Sequence, residues 1–340
     1  MTTKPKSQRV EASTTVIRRL DEPLVSVIVP VYNRRDLIRE TLESVSRQTI
    51  ADRIELVVVD DGSTDGTAEA VESLSLQVGG LVTVRQPNRG PSAARNSGFA
   101  VARGRYTQFL DSDDLLQEAK LERQLRALDE HPRANVASCL WGEFEGSPRS
   151  ALRIRGEAGA RPESMAERFL GGAFWTPCVG LYQRGICDAA GPWPENLRVF
   201  EDWVWNLRVG LAGGVAVHVP ELLALVRQHG APRLSNTSGR PELVAHWNSY
   251  MDAVLEHVSD VRRAGGSLCD RLLRLLVTTA VWNFRIDEEA VGFRYAGKAF
   301  ASCPVSAKWI AYRILFAGVG ILGPRRAVAL FDVVTRALKG

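Results

Sequence analysis

Val25–Val31 reads VSVIVPV, a short continuous run of apolar and β-branched residues. That is the pattern of a strand buried on both faces of a mainly parallel sheet. Outward from it the same cycle repeats. Asn33 stands in a capping position, and the stretch from Arg35 to about Gln48 puts Leu37, Ile38, Thr41, Leu42 and Val45 on one helical face. Ile54–Val59 (IELVVV) is a second strand ending at Asp60, and Ser63 or Thr64 caps a helix running to about Leu74. Leu81–Arg85, a helix over Pro91–Ala102 and the strand Tyr106–Leu110 (YTQFL) continue the alternation into Asp111. Strands and helices alternating at short spacing form right-handed βαβ units, and the open sheet they build carries its ligand crevice at the carboxyl ends of the strands. Tyr32–Asn33, Asp60–Asp61 and Asp111–Asp114 all fall at that edge.

The 340 residues, 45% hydrophobic and 24% charged, are ordinary for a globular chain of about two units. They exclude wholesale disorder, collagen-like repeats and a polytopic membrane protein. Lys and Arg number 43 against 39 Asp and Glu, a net +4, too small to argue for nucleic acid as a partner. The distribution is more informative. Residues 1–20 carry five basic and one acidic side chain and residues 301–340 six and one, which leaves the middle at −5. An acidic body with basic ends follows. The five cysteines, Cys139, Cys178, Cys187, Cys269 and Cys303, contain no CxxC pair, so neither a zinc knuckle nor a disulfide framework is encoded and a reducing, cytoplasmic setting is expected. The opening MTTKPKSQRVEASTT has no apolar core of a secretory signal, and residues 1–22 read as a flexible basic arm. The α/β domain is expected over residues 23–239, finished by a helix from near Glu201 (EDWVWNLRVG) and a strand pair at Val215–Val219 and Leu222–Gln228. Helical patterns dominate residues 240–340.

The chemistry lies in acidic clusters. Asp111-Ser112-Asp113-Asp114 follows directly on YTQFL, so its carboxylates are presented at a strand end. Two of them, two residues apart, can share a divalent cation, and hard oxygen ligands with open positions suit Mg²⁺ or Mn²⁺. A DxD by itself reads equally as the N-cap of a following helix. Asp60-Asp61-Gly62-Ser63-Thr64-Asp65 is a second strand-end pair, with Gly62 allowing a tight turn. One of these carboxylates can accept hydrogen bonds from a base or ribose, and turn and cap chemistry accounts for the rest.

Together, PVYN (Pro30–Asn33), VVVDDGSTDGT (Val57–Thr67), NRGPSAARNSG (Asn88–Gly98) and FLDSDD (Phe109–Asp114) resemble family 2 glycosyltransferases over residues 23–230. The resemblance implies a GT-A fold, an open, Rossmann-like, mainly parallel sheet flanked by helices, and an inverting transfer from a nucleotide-sugar donor. It implies that Tyr32, two residues after Pro30, packs on the base and Asp61 reads it beside Asp60. Arg95 would contact the diphosphate side, and Asp111 and Asp113, with Ser112 between them, would hold the metal and the ribose-diphosphate. Glu201-Asp202 resembles the family's ED motif, which makes Asp202 the candidate base; two acids complementing a helix N-terminus are the alternative. His229, in VRQHGAPRLSN, resembles a position where several GT-A enzymes place a further metal or diphosphate contact, and a capping histidine is the other reading. Trp203 and Trp205 straddle the ED helix as acceptor-stacking or core residues.

The expectation is therefore a divalent-metal-dependent, inverting transfer of a sugar, most simply from a uridine-linked donor, to a saccharide or lipid-linked acceptor. Such chemistry belongs to cell-surface polysaccharide or glycoconjugate synthesis. The alternative is a nucleotide-sugar-binding assembly partner without turnover. No glycine-rich GxGxxG loop follows the strand VSVIVPV and no Walker A loop occurs, which disfavours a dehydrogenase or P-loop enzyme. Ser306–Val319 and Arg325–Leu338 combine Trp309, Tyr312, Leu315 and Phe316 with Lys308, Arg313, Arg325, Arg326 and Arg336. They read either as interfacial helices on the cytoplasmic face of a membrane or as helices folded on the protein.

Overall fold

The computed structural model describes residues 12–148, 153–156, 162–171, 175–228, 240–285 and 289–302. The chain divides into two compact units, residues 1–165 with 175–236, and residues 166–174 with 237–340.

The first unit is built on one mixed sheet. Its strands are β1 (Ser13–Arg18), β2 (Val25–Val31), β3 (Ile54–Asp60), β4 (Gly80–Arg85), β5 (Tyr106–Phe109), β6 (Leu115–Leu116), β7 (Val136–Glu145), β8 (Arg153–Arg155), β9 (Glu163–Ser164), β10 (Leu181–Gln183) and β11 (Val215–Gln228). The order across the sheet is β1-β4-β3-β2-β5-β10-β7-β11-β6, with β8 on β7 and β9 on β11. β4, β3, β2 and β5 pair in parallel, as the βαβ reading requires. β10 then enters antiparallel between β5 and β7, and β7 and β11 are parallel again. Every residue of β2 and β3 is buried, which is why these strands read as unbroken apolar runs.

Several boundaries differ from the sequence reading. Ser13–Arg18, placed in a flexible arm, is an antiparallel edge strand along β4; its sequence STTVIR has no alternating apolar pattern, because an edge strand exposed along its length needs no apolar face. Val215–Gln228 is one strand with register shifts around Pro220, not a strand pair, since both halves follow β7. Helix α1 (Ile38–Ser46) starts later than expected, and its N-cap is Leu37. α2 (Thr67–Glu72) starts after Gly66, and α3 (Pro91–Val101) is placed as expected. The remaining helices of this unit are α4 (Lys120–Glu130), α5 (Met165–Leu170), whose residues beyond Met165 group with the second unit, α6 (Arg184–Ala190) and α7 (Glu201–Leu211).

α3 lies against β2 and β3 with Gly98 at the crossing. A Cβ there would stand 2.5 Å from Ile28 Cγ2 and 3.0 Å from Val59 Cγ2, both side chains of the buried sheet. Gly98→Ala is therefore expected to destabilise the protein by about 1–3 kcal/mol through overpacking, outweighing a helix-propensity gain of about 1 kcal/mol. A urea midpoint equal to or above that of the parent would contradict this.

The second unit contains α8 (Arg240–Leu255), α9 (Val258–Ala264), α10 (Gly266–Arg285) and α11 (Glu289–Ser302). Its core includes Met251, Val254, Leu272, Leu276, Ala280 and Tyr295. Polar groups inside it are paired: Tyr295 Oη donates to the Asn248 carbonyl at 2.8 Å, and Asn283 Nδ2 donates to Asn248 Oδ1 at 3.2 Å. No helix among the described residues is long and apolar enough to cross a membrane. The stretches Ser306–Val319 and Arg325–Leu338 lie outside the described residues.

Candidate active site

The three strand-end clusters lie at the carboxyl edge of β2, β3 and β5, which pair in parallel register, and side chains tie their loops together. Asn33 adopts φ 49°, a left-handed backbone tolerated by asparagine. It is not a helix cap: its N–H donates to Ser63 Oγ at 3.0 Å and its Oδ1 accepts from Thr64 N at 2.9 Å. Arg34 N donates to Thr67 Oγ1 and Arg35 N to Asp65 Oδ2. Ser63 and Thr64 thus hold the β2–α1 loop instead of capping α2. The N-cap of α2 is Gly66, and Asp65 before it accepts from Thr67 N at its Oδ1 at 3.0 Å.

Asp60 and Asp61 are 5% and 3% exposed. Asp60 Oδ1 accepts from Ser63 N at 2.9 Å, and its Oδ2 faces Arg85 Nε at 3.4 Å. Asp61, expected to read a base, is committed to the loop before α3. Its Oδ1 accepts from Gln86 Nε2 at 2.7 Å and Arg89 N at 2.9 Å, and its Oδ2 from Gly90 N at 2.7 Å. Burial lifts the Asp61 carboxyl above its ordinary value even though these three donors favour its charge. Pro30 is buried within β2, and Tyr32, 46% exposed, stands beyond its end.

The DSDD segment does not cap a helix. β6 follows it, and α4 begins only at Lys120 with Ala119 as its N-cap. The four residues form a turn closed by Asp114 N donating to the Asp111 carbonyl. Asp114 is buried, and its Oδ1 accepts from Arg227 N at 3.1 Å. Arg227 then fastens the turn from β11. Its Nε donates to the Asp113 carbonyl and its Nη1 to the Gly146 carbonyl, its Nη2 pairs with Glu40, and its guanidinium lies 4.7 Å over the Phe144 ring. The carboxyls of Asp111 and Asp113 are left at the surface, with side chains 33% and 14% exposed. Arg34 Nε lies 3.9 Å from Asp113 Oδ2. Ser112 between them is 8% exposed.

Glu201 and Asp202 form the first turn of α7, after Phe200 at φ 66°. Asp202 Oδ1 accepts from Trp203 N at 2.9 Å, so the helix-terminus reading of this pair describes part of what it does. Burial pushes the Asp202 carboxyl well above the ordinary range, the charge of Glu201 pushes the same way, Arg95 pulls back, and Asp111 adds to the rise. The Asp202 carbonyl is held by Asn206 Nδ2 at 2.8 Å, and Tyr182 Oη donates to Asn206 Oδ1 at 2.7 Å.

Arg95 departs from expectation. Its side chain is only 3% exposed, with Nη2 donating to Asp111 Oδ1 at 2.7 Å and Nη1 to Glu201 Oε1 at 3.0 Å. Its guanidinium lies 4.5 Å over Trp193, which stacks on Trp205 at 4.5 Å and 9° between planes. Trp205 is therefore core, while Trp203 is half-buried against Phe200. Sequence reasoning singled out Glu201 only as the neighbour of Asp202, and it missed Arg227 and Trp193. The Pro-Trp-Pro turn at Pro192–Pro194 was the available signal for Trp193, but nothing local to these residues marks the partners that folding supplies.

Among the described residues, no three His, Cys, Asp or Glu side chains converge on a shared cation position. The partly exposed oxygens of Asp111 and Asp113 nonetheless fit a hard divalent ion that takes its remaining ligands from a donor diphosphate and water. His229 lies outside the described residues. His218 is buried against Ser138 Oγ, and His131 bonds the Ala127 carbonyl, both structural. Cys139, Cys178, Cys187 and Cys269 are buried free thiols.

A family model described as "Glycosyl transferase family 2" matches residues 26–191. Glycosyltransferase GlyG of Streptococcus pneumoniae serotype 4 is 37% identical over 254 residues, 71% of this chain and 82% of that protein. The chain belongs to glycosyltransferase family 2. The uncharacterized glycosyltransferase EpsJ of Bacillus subtilis is 31% identical over 54% of this chain. The chain spans about half the length of EpsJ (55%) and a third of a Rickettsia felis glycosyltransferase (33%). In three dimensions it resembles Staphylococcus aureus TarS 1–349, solved in complex with UDP-GlcNAc, at TM-score 0.66 and 18% identity over 92% of each chain. It also resembles the mannosyltransferase PcManGT of Pyrobaculum calidifontis, solved with GDP-Man and Mn²⁺, at TM-score 0.53 and 20% identity over 92% of this chain and 87% of that one. The family member thus has the GT-A architecture expected from its strand-end motifs.

Proposed function

We propose that this family 2 member is a divalent-metal-dependent, inverting glycosyltransferase that moves a sugar from a nucleotide-sugar donor to an acceptor hydroxyl. The observation that carries this reading is the joining of two acidic motifs at one buried arginine: Arg95 contacts both Asp111 of DSDD and Glu201 beside Asp202. Pro30, Tyr32, Asp60 and Asp61 make the nucleoside side, with the half-exposed Tyr32 ring offering a face to the base. Asp111 and Asp113, with His229 as a further candidate, would hold the metal. When bound there, Mn²⁺ or Mg²⁺ supplies charge neutralisation to the departing nucleoside diphosphate. Asp202 accepts the proton of the acceptor hydroxyl as that oxygen attacks the anomeric carbon from the face opposite the leaving group, which inverts its configuration. The raised Asp202 carboxyl suits proton acceptance near neutral pH better than an ordinary carboxylate does.

A uridine-linked donor is the first choice, and relatives of this fold have been solved with UDP-GlcNAc and with GDP-Man. The acceptor is a saccharide or a lipid-linked saccharide at the cytoplasmic face, in the synthesis of a cell-surface polysaccharide or glycoconjugate. One relative is named a putative teichuronic acid biosynthesis glycosyltransferase. A panel of UDP-, GDP- and TDP-sugars with Mn²⁺ is expected to show hydrolysis or transfer from one nucleotide class, with an inverted product anomer by NMR. Retention of configuration would overturn the mechanism, and inactivity across the panel with no nucleotide binding would overturn the reading.

A further inference from the structure

Arg95 has a geometry that a ligand contact does not require. It is buried, its two terminal nitrogens are each spent on a carboxylate, and one face of its guanidinium is covered by Trp193. Trp193 stacks in parallel on Trp205, a core residue of α7, and Trp205 Nε1 donates to the Gly191 carbonyl at 3.1 Å in the turn that carries Trp193. The turn is further fixed by Trp193 N donating to Asn96 Oδ1 at 2.7 Å, from the residue after Arg95 on α3. Guanidinium, indole and indole thus form a stack that joins α3, the Pro-Trp-Pro turn and α7. From it the guanidinium reaches one carboxylate on each of the two acidic motifs. A planar fork holds two carboxylates in fixed directions, which a lysine ammonium does not do.

Resting on the glycosyltransferase reading above, we propose that Arg95 is a positioning residue, not a diphosphate contact. Its ion pairs with Asp111 and Glu201, fixed by the Trp193–Trp205 stack, set the DSDD turn and the first turn of α7 at their working separation. Asp111 keeps one oxygen on Arg95, which orients the other. Glu201 serves as the anchor of its helix turn, leaving Asp202 as the base. Burial opposes the charge on Arg95, but the two carboxylates outweigh it and raise its pKa, so the bracket stays charged.

The test compares wild type with Arg95→Met, Arg95→Lys, Glu201→Ala and Arg95→Met/Glu201→Ala. Readouts are kcat and donor KM, with UDP affinity by calorimetry in Mn²⁺, or GDP affinity if the wild type selects guanosine. Positioning predicts a fall in kcat of about a hundredfold in each single variant, as misplacement by about 1 Å produces. Nucleotide affinity should stay within about threefold, lysine should give no rescue, and the double variant should lose no more than the worse single one. A tenfold or greater loss of nucleotide affinity with kcat retained would make Arg95 a diphosphate contact and overturn the proposal, as would multiplying losses in the double variant. Should the Arg95 variants fail to fold, Glu201→Ala alone decides: lost kcat with unchanged nucleotide affinity supports the bracket, and unchanged kcat overturns it. Wild-type protein that neither binds a nucleotide diphosphate nor turns over any nucleotide sugar would remove the glycosyltransferase reading and the bracket with it, an outcome distinct from the others.

Discussion

Asp202→Asn is expected to lower transfer by about a thousandfold, within the range that a positioned general base contributes, while leaving donor affinity nearly unchanged. The asparagine keeps an oxygen for the Trp203 N–H that Asp202 Oδ1 now accepts, and its backbone carbonyl still holds Asn206, so the helix turn has no reason to move. Only the capacity to take a proton is lost. The same assignment fixes the direction of the pH dependence. The base works when ionised, so activity is present above its pKa and is lost as pH falls through it. Burial, Glu201 and Asp111 together outweigh Arg95 and raise that pKa, which places the acid limb of kcat/KM well above the value near 4 of an ordinary aspartate. Full transfer activity in Asp202→Asn would sink the assignment, and an acid limb at the ordinary carboxylate value would sink its electrostatic basis.

Removal of the divalent ion, by chelation or through Asp113→Asn, is expected to cost about two to three orders of magnitude in turnover. That is the several kcal/mol that neutralising a leaving diphosphate contributes. Asp113 is the better probe of the two metal candidates. Asp111 is bonded to Arg95, so changing it also releases the buried cation, whereas the bond that Arg227 makes to Asp113 uses the backbone carbonyl and survives substitution. Asp113→Asn should thus keep its fold and thermal midpoint and lose the Mn²⁺-dependent part of nucleotide binding, seen by calorimetry with and without the ion. Turnover indifferent to both chelator and Asp113→Asn would remove the metal from the mechanism.

The parallel half of the sheet was legible because its strands are buried on both faces, and a strand with no polar face leaves an uninterrupted signature such as VSVIVPV or IELVVV. Ser13–Arg18 left none, since an exposed edge strand has no burial to encode. The acidic motifs were legible as strand-end carboxylates, but the tasks of individual members were not. Asp114 belongs to the DSDD run and is buried under Arg227. Asp65, in the same acidic run as Asp60 and Asp61, accepts the Thr67 N–H at the start of α2, where Ser63 or Thr64 was expected to cap.

Arg95 marks the same division most clearly. Sequence alone determined the βαβ order, the edge at which polar groups collect, the residue types available for metal and proton chemistry, and the family that the ordered motifs resemble. Each is a short-range property, carried by hydrophobic period and by carboxylates adjacent to strand ends. Only the tertiary structure decided that Arg95 faces Asp111, 16 residues ahead, and Glu201, 106 residues ahead, with Trp193 beneath it. Those pairings arise from α3, β5 and α7 closing on one buried guanidinium. Burial and charge compensation over such separations depend on how the chain packs and have no local pattern in the sequence.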